Sequence, residues 1–265
     1  MTRRLWARRY AAWLVLPLIV VGAVAAWLAF DPGFRREHQI ASLSIDAPKD
    51  EFERRVRDYL MANPDVIMQS VNQLEARQRT KDQTEVQAIV KSRAEEIFSD
   101  AEAPTGGNPN GDVTLVEFFD YNCSYCRQVA PVVSKAEEGD PLLRIAYKEF
   151  PILGPNSTFA AKAALAANKQ GKYLAFHKAL YEVHGTVDPG KVREVAIAVG
   201  LDMNRLKADM ADPSIQAAIT RNLALAQALR INGTPGFVIG NQILRGATDL
   251  ETLQGMISTA RERRE

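Results

Sequence analysis

Cys123-Ser-Tyr-Cys126 stands where a segment of strand pattern meets a segment of helical pattern, and few folds place such a pair there. Val113 to Phe119 is β-branched and aromatic and is bounded by turn residues, as a buried strand is. Cys123 to Glu138 has helical spacing, with Pro131 as a kink. Leu142 to Phe150 reads as a second strand, so the three segments form a β-α-β unit, the start of a parallel or mixed sheet. Residues 156–230 are helical almost throughout. Pro235–Ile239 and Gln242–Arg245, parted by Gly240-Asn241, then read as a β-hairpin. A last helix is expected from Thr248, with Ser/Thr-type cap chemistry and Glu251 three residues on.

The placement of the cysteines carries chemistry. A thiol at a helix start faces free backbone N–H groups and the positive end of the helix dipole, both of which favour the thiolate. The thiolate is the attacking species in disulfide exchange, so Cys123 is the expected nucleophile. Cys126, one turn on, is placed to resolve the mixed disulfide. A bridge between these two closes too small a loop to add much stability, which argues against a structural staple. Two cysteines in 265 residues make no disulfide scaffold either. Zinc usually takes four ligands, and neither a second Cys-x-x-Cys nor a His pair is present; His38, His177 and His184 are scattered. Two thiolates still suit soft Cu(I). Redox catalysis is the expectation, with no metal site and no small-molecule cofactor.

Two further features bear on the site. Glu117 interrupts the apolar strand, and in-out alternation along Val113–Phe119 places it on a sheet face beneath the helix. A half-buried carboxylate there can accept and return the proton of Cys126; a solvent-facing Glu is the plainer alternative. Thr234-Pro235 opens the hairpin. X-Pro bonds tolerate the cis form, and a cis Pro235 beside Cys123 exposes the backbone of Thr234 to an extended substrate. An ordinary trans turn is the other reading.

The start of the chain sets the compartment. Residues 10–30 hold no charged side chain, and a helix rising about 1.5 Å per residue spans the roughly 30 Å hydrocarbon core over that length. Arg3, Arg4, Arg8 and Arg9 precede the run, so the positive-inside rule keeps the start in the cytoplasm and sends the rest across. The length favours an uncleaved anchor over a cleaved signal peptide, whose apolar run is shorter. Export puts the thiols in an oxidising compartment, the periplasm in bacteria.

The net charge is +1, and those four arginines leave the remainder mildly acidic, which gives no electrostatic reason to expect nucleic acid. Residues 31–48 read as a linker. Pro48 to Asp100 reads as helix, interrupted at Asn63-Pro64. A narrow apolar stripe within 63–98 fits association with a partner helix, and fits a solvated stalk equally well. The turn-rich run 104–112 marks the domain boundary. The expected organisation is 1–30 membrane or signal segment, 31–103 linker and helical extension, and 104–265 catalytic domain.

FFDYNCSYCRQ (118–128), KEFPILG (148–154), GKYLAFHKAL (171–180) and NGTPGFVIGNQILRG (232–246) resemble the DsbA family of thioredoxin-fold proteins, in order over about residues 107–262. YLMANPDVIMQSVNQL (59–74) is similar to the helical leader of the exported branch that includes the suppressor-of-copper-sensitivity protein ScsC. The resemblance implies an α/β thioredoxin fold with a helical insertion at about 155–230. It also implies Cys123 as nucleophile, Cys126 as resolving thiol, Glu117 as buried proton acceptor and Thr234-Pro235 as the cis-proline loop. Ser124-Tyr125 stands where strongly oxidising DsbA proteins have Pro-His, which implies a less oxidising couple. Tyr before the second Cys and Thr before the cis-proline are more similar to disulfide isomerases. The expected function is an exported thiol-disulfide oxidoreductase that forms or isomerises disulfides in client proteins and exchanges electrons with a membrane redox partner. Copper binding and thiol reduction are the alternatives.

Overall fold

The computed structural model of the chain describes residues 50–263. The expected membrane segment 10–30 and the linker 31–48 lie outside the described residues. Among the described residues no helix is long and apolar enough to cross a membrane. The chain divides into two compact units, Met1–Glu75 and Ala76–Glu265.

In the first unit, α1 (Glu51–Ala62) is opened by Asp50, whose carboxylate accepts the Glu53 N–H. α2 (Asp65–Ser92) begins after the Asn63-Pro64 break. Phe52, Val56 and Tyr59 on α1, and Ile67, Val71 and Leu74 on α2, recur at helical spacing and are exposed.

The second unit is built on a five-stranded sheet of order β1-β3-β2-β4-β5. β1 is Thr105–Gly107, β2 Val113–Phe119, β3 Leu143–Glu149, β4 Gly236–Ile239 and β5 Gln242–Arg245. β2 and β3 run parallel; every other pairing is antiparallel. The crossover between the parallel strands is α4 (Ser124–Gly139), with Pro131 inside it. The helical insertion is α5 (Pro155–Lys169), α6 (Tyr173–Tyr181), α7 (Pro189–Ala198), α8 (Met203–Met210) and α9 (Pro213–Ala228). α10 (Leu250–Glu262) closes the order, so the β-α-β, insertion, β-β-α succession read from the sequence is present, and the fold is thioredoxin-like α/β.

β2 is buried at all seven positions, because both faces of the sheet are covered. Val113, Leu115 and Phe119 face a large core formed with α4, the insertion and α10. Val116 and Phe118 face a second core that takes in Val86 and Val90 of α2, Ile97 of α3 (Ala94–Phe98), and Leu225 and Leu229 near the end of α9. The stripe read as free for a partner helix within 63–98 is therefore spent, from Val86 onward, on the chain's own sheet.

Two local readings are corrected. Residues 105–107, read as turn, pair with the edge of β3, and Gly107 is needed there: its φ is +64° and a Cβ would stand 2.3 Å from the Leu143 carbonyl oxygen. The cap of α10 is Asp249, whose carboxylate accepts the Thr252 N–H at 2.8 Å, and not Thr248.

Candidate active site

Cys123 is the N-cap of α4, with extended backbone, and its Sγ accepts the Cys126 N–H at 3.4 Å. The geometry is that of a thiol at a helix start, where an amide points at the sulfur. On its other side the Cys123 thiol donates to the Thr234 carbonyl at 3.3 Å. The Thr234-Pro235 peptide bond is cis. Both cysteines are free, and both are buried, Cys126 completely. Ser124 and Tyr125, the residues between them, are exposed, Tyr125 by 61%. Cys123 and Cys126, read from one motif, and Thr234 and Pro235, read from another, are thus brought together. Gly236 follows, and a Cβ there would meet the Ile231 side chain at 2.6 Å, which keeps the start of β4 close to the preceding loop.

Glu117 lies in the register of β2 opposite Tyr147 on β3 and Phe237 on β4. It is 2% exposed, so the solvent-facing alternative is excluded. Burial pushes its carboxyl up to about 8. Burial likewise drives the Cys126 thiol far above its ordinary value, with Glu117 and Cys123 adding to the rise, while an Asp120 backbone hydrogen bond and the Thr234 side chain oppose it. A proton on Cys126 therefore leaves only when a base is placed to take it.

Residues that spacing did not single out hold this arrangement. Asp120 is buried; its Oδ2 accepts Ile152 N–H at 2.9 Å and Leu153 N–H at 3.0 Å, and its Oδ1 accepts Asn122 N–H at 2.8 Å. Asn122 accepts the Val187 N–H at 2.8 Å and donates to Ser157 Oγ at 3.2 Å. The Arg127 guanidinium, one residue past Cys126, donates to the carbonyls of Val183, Tyr121 and Gly185. Together they tie the loop carrying Cys123 to the insertion and to the 150–154 turn. Their one sequence signal is position, within DYNCSYCR.

Behind them lies a buried polar cluster. Tyr121 and Tyr173 hydroxyls donate to Glu149 Oε1 at 3.1 and 2.8 Å, and the Tyr121 hydroxyl lies 3.0 Å from His177 Nδ1. Burial outweighs the two donors and holds the Glu149 carboxyl well above its ordinary value. Burial, with help from Lys178, lowers His177 to about 3, so the ring is neutral. Among the described residues, no three His, Cys, Asp or Glu side chains converge as a metal site.

The chain is similar to known proteins in two of its parts. Residues 114–258 match the family model of the DSBA-like thioredoxin domain, and residues 49–81 that of the copper resistance protein ScsC N-terminal domain. A thioredoxin-like oxidoreductase from Silicibacter pomeroyi DSS-3 is 47% identical, with a TM-score of 0.63, over 63% of this chain and 97% of that one. The catalytic domain of Proteus mirabilis ScsC is 29% identical, with a TM-score of 0.61, over 66% of this chain and 98% of that one. The Na(+)/H(+) antiporter NhaA 1 of Salinispora arenicola is 28% identical over 156 residues, 58% of this chain and 24% of that protein. The chain thus spans about a quarter of the length of the curated relatives it matches.

Proposed function

The chain belongs to the DSBA-like thioredoxin domain family, and from that premise we propose that it is an exported thiol-disulfide oxidoreductase forming or isomerising disulfides in periplasmic proteins, with Cys123 as nucleophile and Cys126 as resolving thiol. The observation that carries this reading is the position of Cys123 Sγ, which takes the Cys126 N–H on one side and meets the Thr234 carbonyl on the other. The amide is aimed at the reacting sulfur, and the Thr234 backbone stands where an extended client can pair with it beside that sulfur.

The chemistry balances within the couple. A client thiolate attacks Cys123 of the Cys123–Cys126 disulfide, and Cys126 leaves as a thiolate that takes a proton from Glu117. A second client thiolate then displaces Cys123, so the client is oxidised and the couple reduced. A membrane redox partner reverses the change in the couple. Glu117 serves as proton donor in one direction and acceptor in the other.

Export rests on the basic start and the apolar run 10–30, which also supports a tether to the inner membrane. Self-association rests on the exposed stripes of α1 and the first part of α2, with 86–98 removed from the contact by its burial on the sheet. Paired active sites suit an isomerase, which must hold a misfolded client between them.

Cys126→Ala tests the reading. The variant should accumulate mixed disulfides with exported proteins, released by reductant and absent when Cys123 is also replaced. No adducts in cell extracts would overturn the catalytic assignment. Copper handling is the second reading, favoured by the match of residues 49–81 to the ScsC N-terminal domain. Anaerobic Cu(I) titration that shows stoichiometric binding against a competing chelator would promote it.

A further inference from the structure

Glu117 Oε1 and the Tyr181 hydroxyl are both buried and have no hydrogen-bond partner among the described residues. Leaving such an oxygen unpaired costs about 1–3 kcal/mol, so two in one place call for an occupant. Both residues line one cavity of about 240 Å³ between α4 and α6. Its inner wall is made by Glu117, Tyr147, His177 and Tyr181, all buried. Lys178 and Glu182, also in the lining, are exposed and mark its solvent end. A space of that size holds several waters, each of which needs polar partners of the kind these oxygens offer.

We propose that this cavity, through the Tyr181 hydroxyl and the water it orders, is the route by which Glu117 exchanges its proton with solvent during the thiol-disulfide cycle. The proposal rests on the reading of Cys123–Cys126 as the redox couple and adds Tyr181 as a positioning residue.

The need for a route follows from burial. In a mixed disulfide on Cys123, the Cys126 thiol gives its proton to the Glu117 carboxylate, and the resulting thiolate attacks Cys123 Sγ. The Cys123–Cys126 bond forms, the Cys123–client bond breaks, and the electron pair leaves on the client sulfur. Glu117 is left carrying the proton. Cys126 is fully buried and offers that proton no way out. At neutral pH Glu117 is mostly protonated, so each turn in this direction first requires it to lose a proton through the cavity.

The groups facing Glu117 leave the task to Tyr181. α4 brings Cys126, with Arg127 in the cavity wall held by three carbonyls. β3 brings Tyr147, whose hydroxyl burial and Glu117 push far up, and more distantly Glu149. β4 brings Phe237, which is not titratable, and α10 contributes the apolar Leu253 and Ile257 to the core on this face of the sheet. α6 brings His177, kept neutral and bound at Nδ1 to the Tyr121 hydroxyl, and Tyr181 itself. Tyr181 is thus the lining residue whose hydroxyl is buried and without a hydrogen-bond partner among the described residues.

Tyr181→Phe keeps the ring and removes only the unpaired oxygen. Reduced protein mixed with one equivalent of dithiobis(nitrobenzoate) releases the aromatic thiolate twice, and the second release reports the attack by Cys126. Its rate, followed from pH 6 to pH 9 in weak buffer, should rise with Glu117 ionisation in the wild type. In Tyr181→Phe it should fall about tenfold near neutrality and recover with added imidazole, a small proton carrier. Ser134→Met, which narrows the same cavity from α4, should slow the step likewise and serves if Tyr181→Phe does not fold. Wild-type rates and wild-type buffer dependence in the folded variants would overturn the route. Glu117→Gln separates the two levels: a slow, pH-independent second release upholds Glu117 as the proton partner whatever Tyr181 does. A wild-type profile in Glu117→Gln would overturn that partnership, and the route with it.

Discussion

The Asp120 carboxylate holds the Leu153 amide at 3.0 Å, and the same oxygen takes the Ile152 amide at 2.9 Å. Two residues that flank different strands are thereby fixed to one another, and Leu153 is set into a cavity of about 600 Å³ that it shares with Ser124 of the Cys-x-x-Cys. Asp120→Ala strands these two amides and that of Asn122, all partly buried. The expected cost is about 2–4 kcal/mol, read as a lower denaturation midpoint at unchanged m-value. Asp120→Asn, which keeps one acceptor oxygen, should lose about half as much. An alanine variant as stable as the wild type would show that water replaces the carboxylate without cost.

Glu117 makes stability depend on pH with a definite sign. Its carboxyl titrates at about 8 in the folded chain, against an ordinary 4.5, because burial disfavours the charge. Between these values the unfolded chain ionises and the folded chain does not. Stability therefore falls as pH rises from about 4.5 to 8, and the full penalty is present above that window. Glu117→Gln removes the titration and should stabilise the protein by roughly 3–5 kcal/mol at pH 9, with little effect at pH 4. Urea unfolding of both proteins at the two values checks it. An equal gain at both would assign the effect to packing.

The β2–α4–β3 unit and the β4–β5 hairpin were legible because each keeps one clean period and the cysteines mark the junction between two of them. Glu117 was legible for a related reason, since one carboxylate in an apolar strand breaks the alternation. Val86, Val90 and Ile97 were not, because an apolar helical stripe has the same spacing whether it covers the chain's own sheet or a neighbour's. β1 was hidden by its glycines, whose turn preference is overridden by pairing with β3. The Glu149 cluster joins partners 24 and 28 residues away, with His177 a further link at 56, and no local pattern carries such a relation.

The exposed stripes on α1 and α2 should hold copies of the chain together. Six large apolar residues at helical spacing in a segment whose other side chains are mostly charged or polar are costly to leave in water. The protein is expected to run on a sizing column with light scattering as an oligomer. Ile67→Asp with Leu74→Asp should convert it to monomer while leaving second thiolate release by Cys126 unchanged, since neither residue belongs to the unit that carries the thiols. A monomeric wild type would end the proposal.

The reduction potential decides the direction of electron flow. In DsbA-like couples the reduced form gains from whatever stabilises the nucleophilic thiolate. Here the Cys126 amide supplies one hydrogen bond, and the intervening Ser124 and Tyr125 add no positive charge. Lacking such a partner, the couple should be less oxidising than about −120 mV and lie closer to about −200 mV in equilibrium with glutathione. Ser124→Pro with Tyr125→His should move it upward, towards the more oxidising limit. A wild-type value near −270 mV would instead mark a reductase supplied with electrons from the membrane, and disulfide formation would have to be given up as the role.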